Sequence, residues 1–294
     1  MNSIYSHQSA NVAKTYFLMA IFFAFIVLIG YFVSSYYGAP ELLYIAVFLS
    51  LFMNILSYWF SDKIVLSIAG ARQAKREDFF DLYNLTENLA ITAGLPMPKV
   101  YVIEDTAPNA FATGRNKEHA VVAVTTGLLA RLERNELEGV IAHELSHIGN
   151  RDILLMSVVV VLVGLVSILS DALLRGMAFG RDRENNKAGG ILAIVGLVLI
   201  ILSPIIATLI KLAISRKREF LADASAALLT RYPEGLARAL EKISTYNAPL
   251  KDAHTATAHL FIANPFGNKG ATLSSLFATH PPVVERIKAL RSMI

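Results

Sequence analysis

Cysteine is absent from all 294 residues, which excludes a disulfide framework and any thiolate metal site. A bound transition metal must therefore rest on imidazole and carboxylate, drawn from 7 histidines and 23 acids. Charge is also scarce. Asp, Glu, Lys and Arg make up 17% of the chain, against 54% hydrophobic residues and a mean hydropathy of +0.50. A soluble domain of this length normally carries more charge, so membrane segments are the first expectation. No basic patch is interleaved with aromatics, and the net charge of +4 suits a membrane-surface protein better than a nucleic-acid binder. Internal repeats and long low-complexity segments are lacking too.

Four uncharged stretches approach the roughly 20 residues that cross a hydrocarbon core as a helix. They are Thr15–Pro40, Leu42–Ser61, Ile153–Ser170 and Ala188–Ile210. The first lacks a short apolar core followed by a small-residue cleavage site, so it reads as a retained span and not as a signal peptide. The loop Ser34–Glu41 has no Lys or Arg, whereas Lys63, Arg72, Lys75 and Arg76 follow the second span, and Lys211, Arg216, Lys217 and Arg218 follow the fourth. The positive-inside rule then puts both flanks, and the amino terminus, in the cytoplasm. Asp171–Lys187 disagrees, with four basic residues on the opposite side. Either its three acids dilute the charge, or the second hairpin enters the bilayer only in part. A buried helical hairpin is the alternative for these two stretches.

Between and after the hairpins lie two polar blocks. In the first, Glu77–Ala93 reads as an amphipathic helix ended by Gly94 and Pro96. Lys99–Glu104, Asn109–Thr113 and His119–Thr125 read as strands, the last two joined by the polar tip Gly114–Glu118. If Ala110–Thr113 is an edge strand, its free backbone groups can pair with an extended peptide. In the second block, Arg216–Thr230, Glu234–Tyr246 and Val283–Met293 read as helices. Pro249–Thr279 reads as loop. The expected organisation is an amino-terminal membrane hairpin (1–61), one cytoplasmic domain made of 62–152 and 211–294, and a second membrane hairpin (153–210) inserted into it.

The chemistry concentrates in His143-Glu144-Leu145-Ser146-His147. On a helix, residues four apart share a face, so the two imidazoles can close on one ion while Glu144 reaches a water beside it. Leu137, Val140, Ile141, Leu145 and Ile148 recur at helical spacing, and Asn135 with Glu138 reads as the N-cap and its capping-box partner. A catalytic zinc usually takes three protein ligands. Glu219 is the best third candidate, because the second hairpin would return it to the neighbourhood of the two histidines. Asp223, one turn further on, can accept the free ring N–H of a ligand histidine; otherwise it is an ordinary partner for Arg218 or Lys217. His7, His119, His254 and His259 show no comparable spacing.

This pattern, His143-Glu144-x-x-His147 with a later Glu219-x-x-x-Asp223, resembles the M48 family of membrane zinc metalloproteases, in particular its HtpX-like branch. The resemblance extends over nearly the whole chain. Pro108–Gly114 resembles the family's substrate-side strand, so Asn109, Ala110, Phe111, Ala112 and Thr113 are expected to bind substrate. Asn150 and Asp152 follow the second histidine in the family manner and, with Asp223, would support the ligands. Thr279-His280-Pro281-Pro282 with Arg286 resembles the late motif, from which His280 and Arg286 would stabilise the developing oxyanion. The resemblance implies an α+β, gluzincin-like core, mainly helical with a small β-sheet. It also implies one zinc ion per chain on His143, His147 and Glu219, with Glu144 as general base. The expected activity is cleavage of misfolded or damaged membrane proteins and unfolded polypeptides, by a multi-pass protein of the cell membrane with its site on the cytoplasmic side.

Overall fold

The computed structural model describes residues 4–164, 216–267 and 281–293. Two long helices come first, α1 (Ile4–Tyr37) and α2 (Glu41–Trp59), packed as an antiparallel pair. Both are long and apolar enough to cross a membrane. Their outer faces carry exposed Phe17, Phe32, Tyr44, Phe48 and Ile55, which suits contact with lipid. Gly30 permits the close crossing, since a Cβ there would fall 2.2 Å from Cβ of Ala46.

A short helix α3 (Ser61–Ile68) leads to strand β1 (Ala71–Gln73), followed by α4 (Phe80–Thr92) and β2 (Lys99–Ile103). The hairpin β3 (Ala110–Gly114) and β4 (Ala120–Thr125) completes a four-stranded sheet of order β1-β2-β4-β3. Only β2 and β4 run parallel. The three expected strands are present, β3 at the edge. β1 is an addition: three residues, two of them charged or amide-bearing, carry no alternation for a sequence reading to detect. The expected helix from Glu77 begins only at Phe80, because Lys75–Phe79 forms a turn in which Lys75 O accepts from the N–H groups of Asp78 and Phe79.

After α5 (Thr126–Arg131) comes α6 (Arg134–Gly149), the helix of the histidine motif. Its cap differs from the Asn135–Glu138 expectation. Glu133 is the N-cap, and Glu136 completes the capping box by accepting from the Glu133 backbone N–H at 2.8 Å. Lys242 fixes Glu136 from outside at 2.7 Å, so the box is held by a tertiary contact that Asn135 does not have. The chain then bends by 84° into α7 (Asp152–Gly164).

Helix α7 covers the start of the expected third span, and its described residues pack against protein. Residues Ile153, Leu155, Val158, Val159, Val160 and Leu162 are all buried. Leu154, Val158 and Leu162 pack on Phe22, Phe25 and Ile26 of α1, while Met156 and Val160 pack with Phe111, Val121 and Ala123 of the sheet. This apolar run is thus wedged between the first span and the sheet. The remainder of the third span, the fourth span and the loop between them lie outside the described residues.

Helices α8 (Arg216–Thr230), α9 (Pro233–Ser244) and α10 (Val283–Arg291) follow. One apolar core joins both polar blocks. It contains Leu82 and Leu89, Val100 and Val102, Val122 and Val124, Val140 and Ile141, Leu236 and Leu240, and Leu290. α6 runs through its centre, lying against α9 at two glycines. A Cβ on Gly139 would sit 2.6 Å from the Leu236 backbone N, and one on Gly235 would sit 2.5 Å from the Asn135 carbonyl oxygen.

Candidate metal centre and active site

Helical spacing puts His143 and His147 on one face of α6, with their Nε2 atoms 3.2 Å apart. α8 delivers Glu219 to the same point: its carboxylate oxygens lie 3.7 Å from His143 Nε2 and 3.6 Å from His147 Nε2. Donor atoms of these three buried residues all fall within 4.8 Å of one another. Tetrahedral ligands about 2.0–2.1 Å from an ion stand about 3.3 Å apart, so the cluster is close to the size a metal ion demands.

The far side of each ring explains the inward lone pairs. His143 Nδ1 lies 2.9 Å from Asp223 Oδ1, and His147 Nδ1 lies 3.0 Å from Asp152 Oδ2. Asp152 is placed to accept the Nδ1 proton of His147, which leaves Nε2 for a ligand role, and the Asp223 carboxylate beside His143 Nδ1 favours the same arrangement there. Two such lone pairs facing each other at 3.2 Å repel unless a cation lies between them. Charge gives the same answer. Among the described residues, four buried carboxylates (Glu144, Asp152, Glu219, Asp223) meet two guanidiniums, fully buried Arg286 and half-buried Arg218, an excess of negative charge that suits a divalent ion. The carboxylates make the spot favour positive charge: burial pulls His147 down, but Asp152, Glu219 and Glu144 together raise it to about 9. These residues fit a metal.

Asp223 is buried beside His143 and is not a surface ion-pair partner. α10 brings Arg286 against it, donating from Nε to Oδ2 at 2.8 Å and from Nη2 to Oδ1 at 2.7 Å. Burial pushes Asp223 up, but Arg286 and then His143 outweigh it and hold the carboxyl at about 2. The third nitrogen of Arg286 donates to Ile262 O at 3.3 Å and stands 3.9 Å from Glu219. The motif alone suggests direct contact with an oxyanion. Here two of its nitrogens are hydrogen-bonded to Asp223, and the third stands beside Glu219 of the cluster. His280 lies outside the described residues. Asn150 caps α6 and contributes through its backbone.

Glu144 is buried, and burial drives its carboxyl up to about 7 despite nearby His147 and Arg286. It accepts from the backbone N–H of Ala112 on β3, while its Oε2 has no partner among the described residues. The register explains the first contact. Thr125 N donates to Asn109 O, so odd-numbered residues of β3 face β4 and even-numbered ones point outward. The outward edge is less open than the sequence suggests. Ala110 O accepts from Ile262 N at 3.0 Å, Gly114 N donates to Ser157 Oγ at 3.3 Å, and the Asn109 side chain is tied to Ala263. Phe111 packs edge-on against Phe261, and Thr113 shares a 2.7 Å hydrogen bond with Ser157. Ala112 is the residue of the strand that faces Glu144.

Two residues of the site escape a reading of motifs. Gln8 and Asn11 reach it from the first span, and their only sequence signal is amide side chains at the start of an apolar run. His259, left out of the metal cluster on spacing, is buried against Met156 O at 3.1 Å.

The family model described as Peptidase family M48 matches residues 77–294. A "Protease HtpX homolog" of Caldanaerobacter subterraneus subsp. tengcongensis is 48% identical over 298 aligned residues, covering 99% of this chain and 98% of that protein. Another, from Pyrococcus furiosus, is 48% identical and covers 95% of each. The crystal structure of S. mikatae Ste24p aligns with a TM-score of 0.51 at 21% identity, a likeness of fold; the match takes in 96% of this chain but only 64% of that one. With relatives matched almost end to end, and a buried cluster that could hold a metal ion, the chain belongs to peptidase family M48 as an HtpX-like membrane metalloprotease.

Proposed function

We propose that the protein is a zinc-dependent endopeptidase of the cell membrane, working at the cytoplasmic surface on unfolded segments of damaged membrane proteins. The observation that carries this reading is the meeting of Glu144, the metal cluster and Ala112 on an edge strand. A ligand set of two imidazoles and one carboxylate without sulfur suits zinc, one ion on His143, His147 and Glu219. Bound there, zinc would act as a Lewis acid toward water and the scissile carbonyl. Glu144 takes the proton of the attacking water and returns it to the leaving amine, the part a positioned carboxylate plays as general base and then acid. Asp223 and Asp152 hold the two rings in register, and Arg286 fixes Asp223.

An extended substrate pairs with the outward groups of β3 around Ala112, after Ile262 yields its bond to Ala110. Backbone pairing reads little sequence, which fits a broad range of unfolded clients. His280 would complete the oxyanion contacts.

The cytoplasmic assignment rests on the basic flank that follows α2. The β3–β4 tip supports a site close to the bilayer, since Arg115 stacks over Trp59 at the end of α2, 4.7 Å from the ring centroid. The test is cleavage of an unfolded model protein by the zinc-loaded, detergent-solubilised enzyme beside a chelated control. Activity confined to the loaded enzyme is expected; equal turnover after chelation would overturn the proposal.

A further inference from the structure

The last carbonyls of an α-helix have no partner within the helix. At the end of α6 two of them are met by side chains of the first membrane span. Gln8 Nε2 donates to Gly149 O at 2.7 Å, and Asn11 Nδ2 donates to Asn150 O at 3.2 Å. Spacing of three on α1 puts both amides on one face. Asn11 does more: its Nδ2 also donates to Asp152 Oδ1 at 2.7 Å, and the other oxygen of that carboxylate is the one that meets His147 Nδ1. Both Asn11 and Asp152 are buried. Arg218 Nη1, at 3.8 Å from the same Oδ1, adds charge but is too far for a hydrogen bond.

The corner so clamped is demanding. Arg151, not a glycine, sits at φ +58° between α6 and α7, a conformation that persists only where surroundings enforce it. Asn11 is positioned to enforce it and to fix the direction of the Asp152 carboxylate. We propose that the first membrane span is a working part of the metal centre, with Asn11 a positioning residue that orients His147 through Asp152. The matched family segment begins at residue 77 and does not include Asn11. The inference rests on the metalloprotease reading above.

A purely anchoring Asn11 would affect folding and leave the metal's surroundings alone, and that difference is measurable. The full-length protein in detergent is loaded with zinc, and transfer to a chromophoric chelator is timed; a cobalt(II)-loaded sample gives the d–d spectrum of the site. Asn11→Leu should release zinc up to roughly 10-fold faster, the lower end of what losing a direct partner of a metal-bound histidine costs in affinity, because Asn11 acts one residue further back, and should change the cobalt spectrum. Asn11→Gln, which keeps the amide, should recover part of the loss. Ser50→Ala, at a buried polar position of α2, should match wild type. Asn11→Ala replaces the leucine variant if a branched side chain prevents folding, as judged by thermal melting. Wild-type release rates and spectrum in a folded Asn11 variant that lacks the amide would overturn the proposal and leave the protease reading intact. A wild-type protein that neither binds metal nor cleaves would end both.

Discussion

Arg286 grips Asp223 with two parallel hydrogen bonds, at 2.8 and 2.7 Å, and neither side chain reaches solvent. Such a fork is specific to a guanidinium, because lysine offers a single ammonium centre. It also sits at the end of a line that runs Arg286, Asp223, His143 and the proposed metal position. Arg286→Lys keeps the charge and loses the fork. The expected result is a folded enzyme whose activity requires roughly 10- to 100-fold more free zinc, seen as a shifted metal titration with partial recovery of turnover at saturation. Recovery of full activity at ordinary zinc would leave Arg286 without the positioning role. Arg286→Met, which strands a buried carboxylate, should cost about 3–5 kcal/mol of stability.

Glu144 stands beside the cluster without being one of its three ligands. Glu144→Gln should therefore hold one zinc per chain, measured by metal analysis after gel filtration. Turnover should fall by roughly 10²- to 10⁴-fold, the usual contribution of a positioned general base. Near-normal turnover in this variant would remove Glu144 from the mechanism.

The packing of α6 gives a prediction about stability. Gly139 lets the helix lie directly on the Leu236 backbone, and no flexible side chain is there to move aside. Gly139→Ala gains helix propensity on an isolated helix, yet here the added methyl forces α6 and α9 apart. The loss should be about 1–3 kcal/mol, visible as a lower melting temperature in detergent. A neutral or stabilising effect would mean the two helices separate easily.

Much of the site was legible because its parts are local. His143 and His147 are joined by one helical turn, and Asp223 follows Glu219 by the same spacing, so sequence distance translates directly into geometry. The β3–β4 hairpin followed from a polar tip between two apolar runs, whereas the edge position of β3 is set by the strand order. Contacts between distant segments were not legible in the same way. The displaced cap at Glu133 depends on Lys242; the commitment of Arg286 depends on where α10 docks; the clamp on Asp152 comes from residue 11. Hydropathy does not say what an apolar run packs against: the described part of α7, at the start of the expected third span, lies against the first span and the sheet.

The register of β3 allows a test of the substrate strand that separates function from folding. Ala112 N–H points away from β4 and toward Glu144, while Phe111 and Thr113 face the ladder. Proline removes one backbone donor and is tolerated at an edge when that donor lies outside the ladder. Ala112→Pro should thus preserve most of the stability and abolish cleavage of an unfolded protein, since both the contact with Glu144 and the pairing point for substrate disappear. Phe111→Pro should do the reverse in order, breaking the β3–β4 ladder and lowering the melting temperature before activity is considered. Melting curves and turnover of the two variants, measured side by side, decide it. If Ala112→Pro stays folded and cleaves normally, substrate does not bind along this strand.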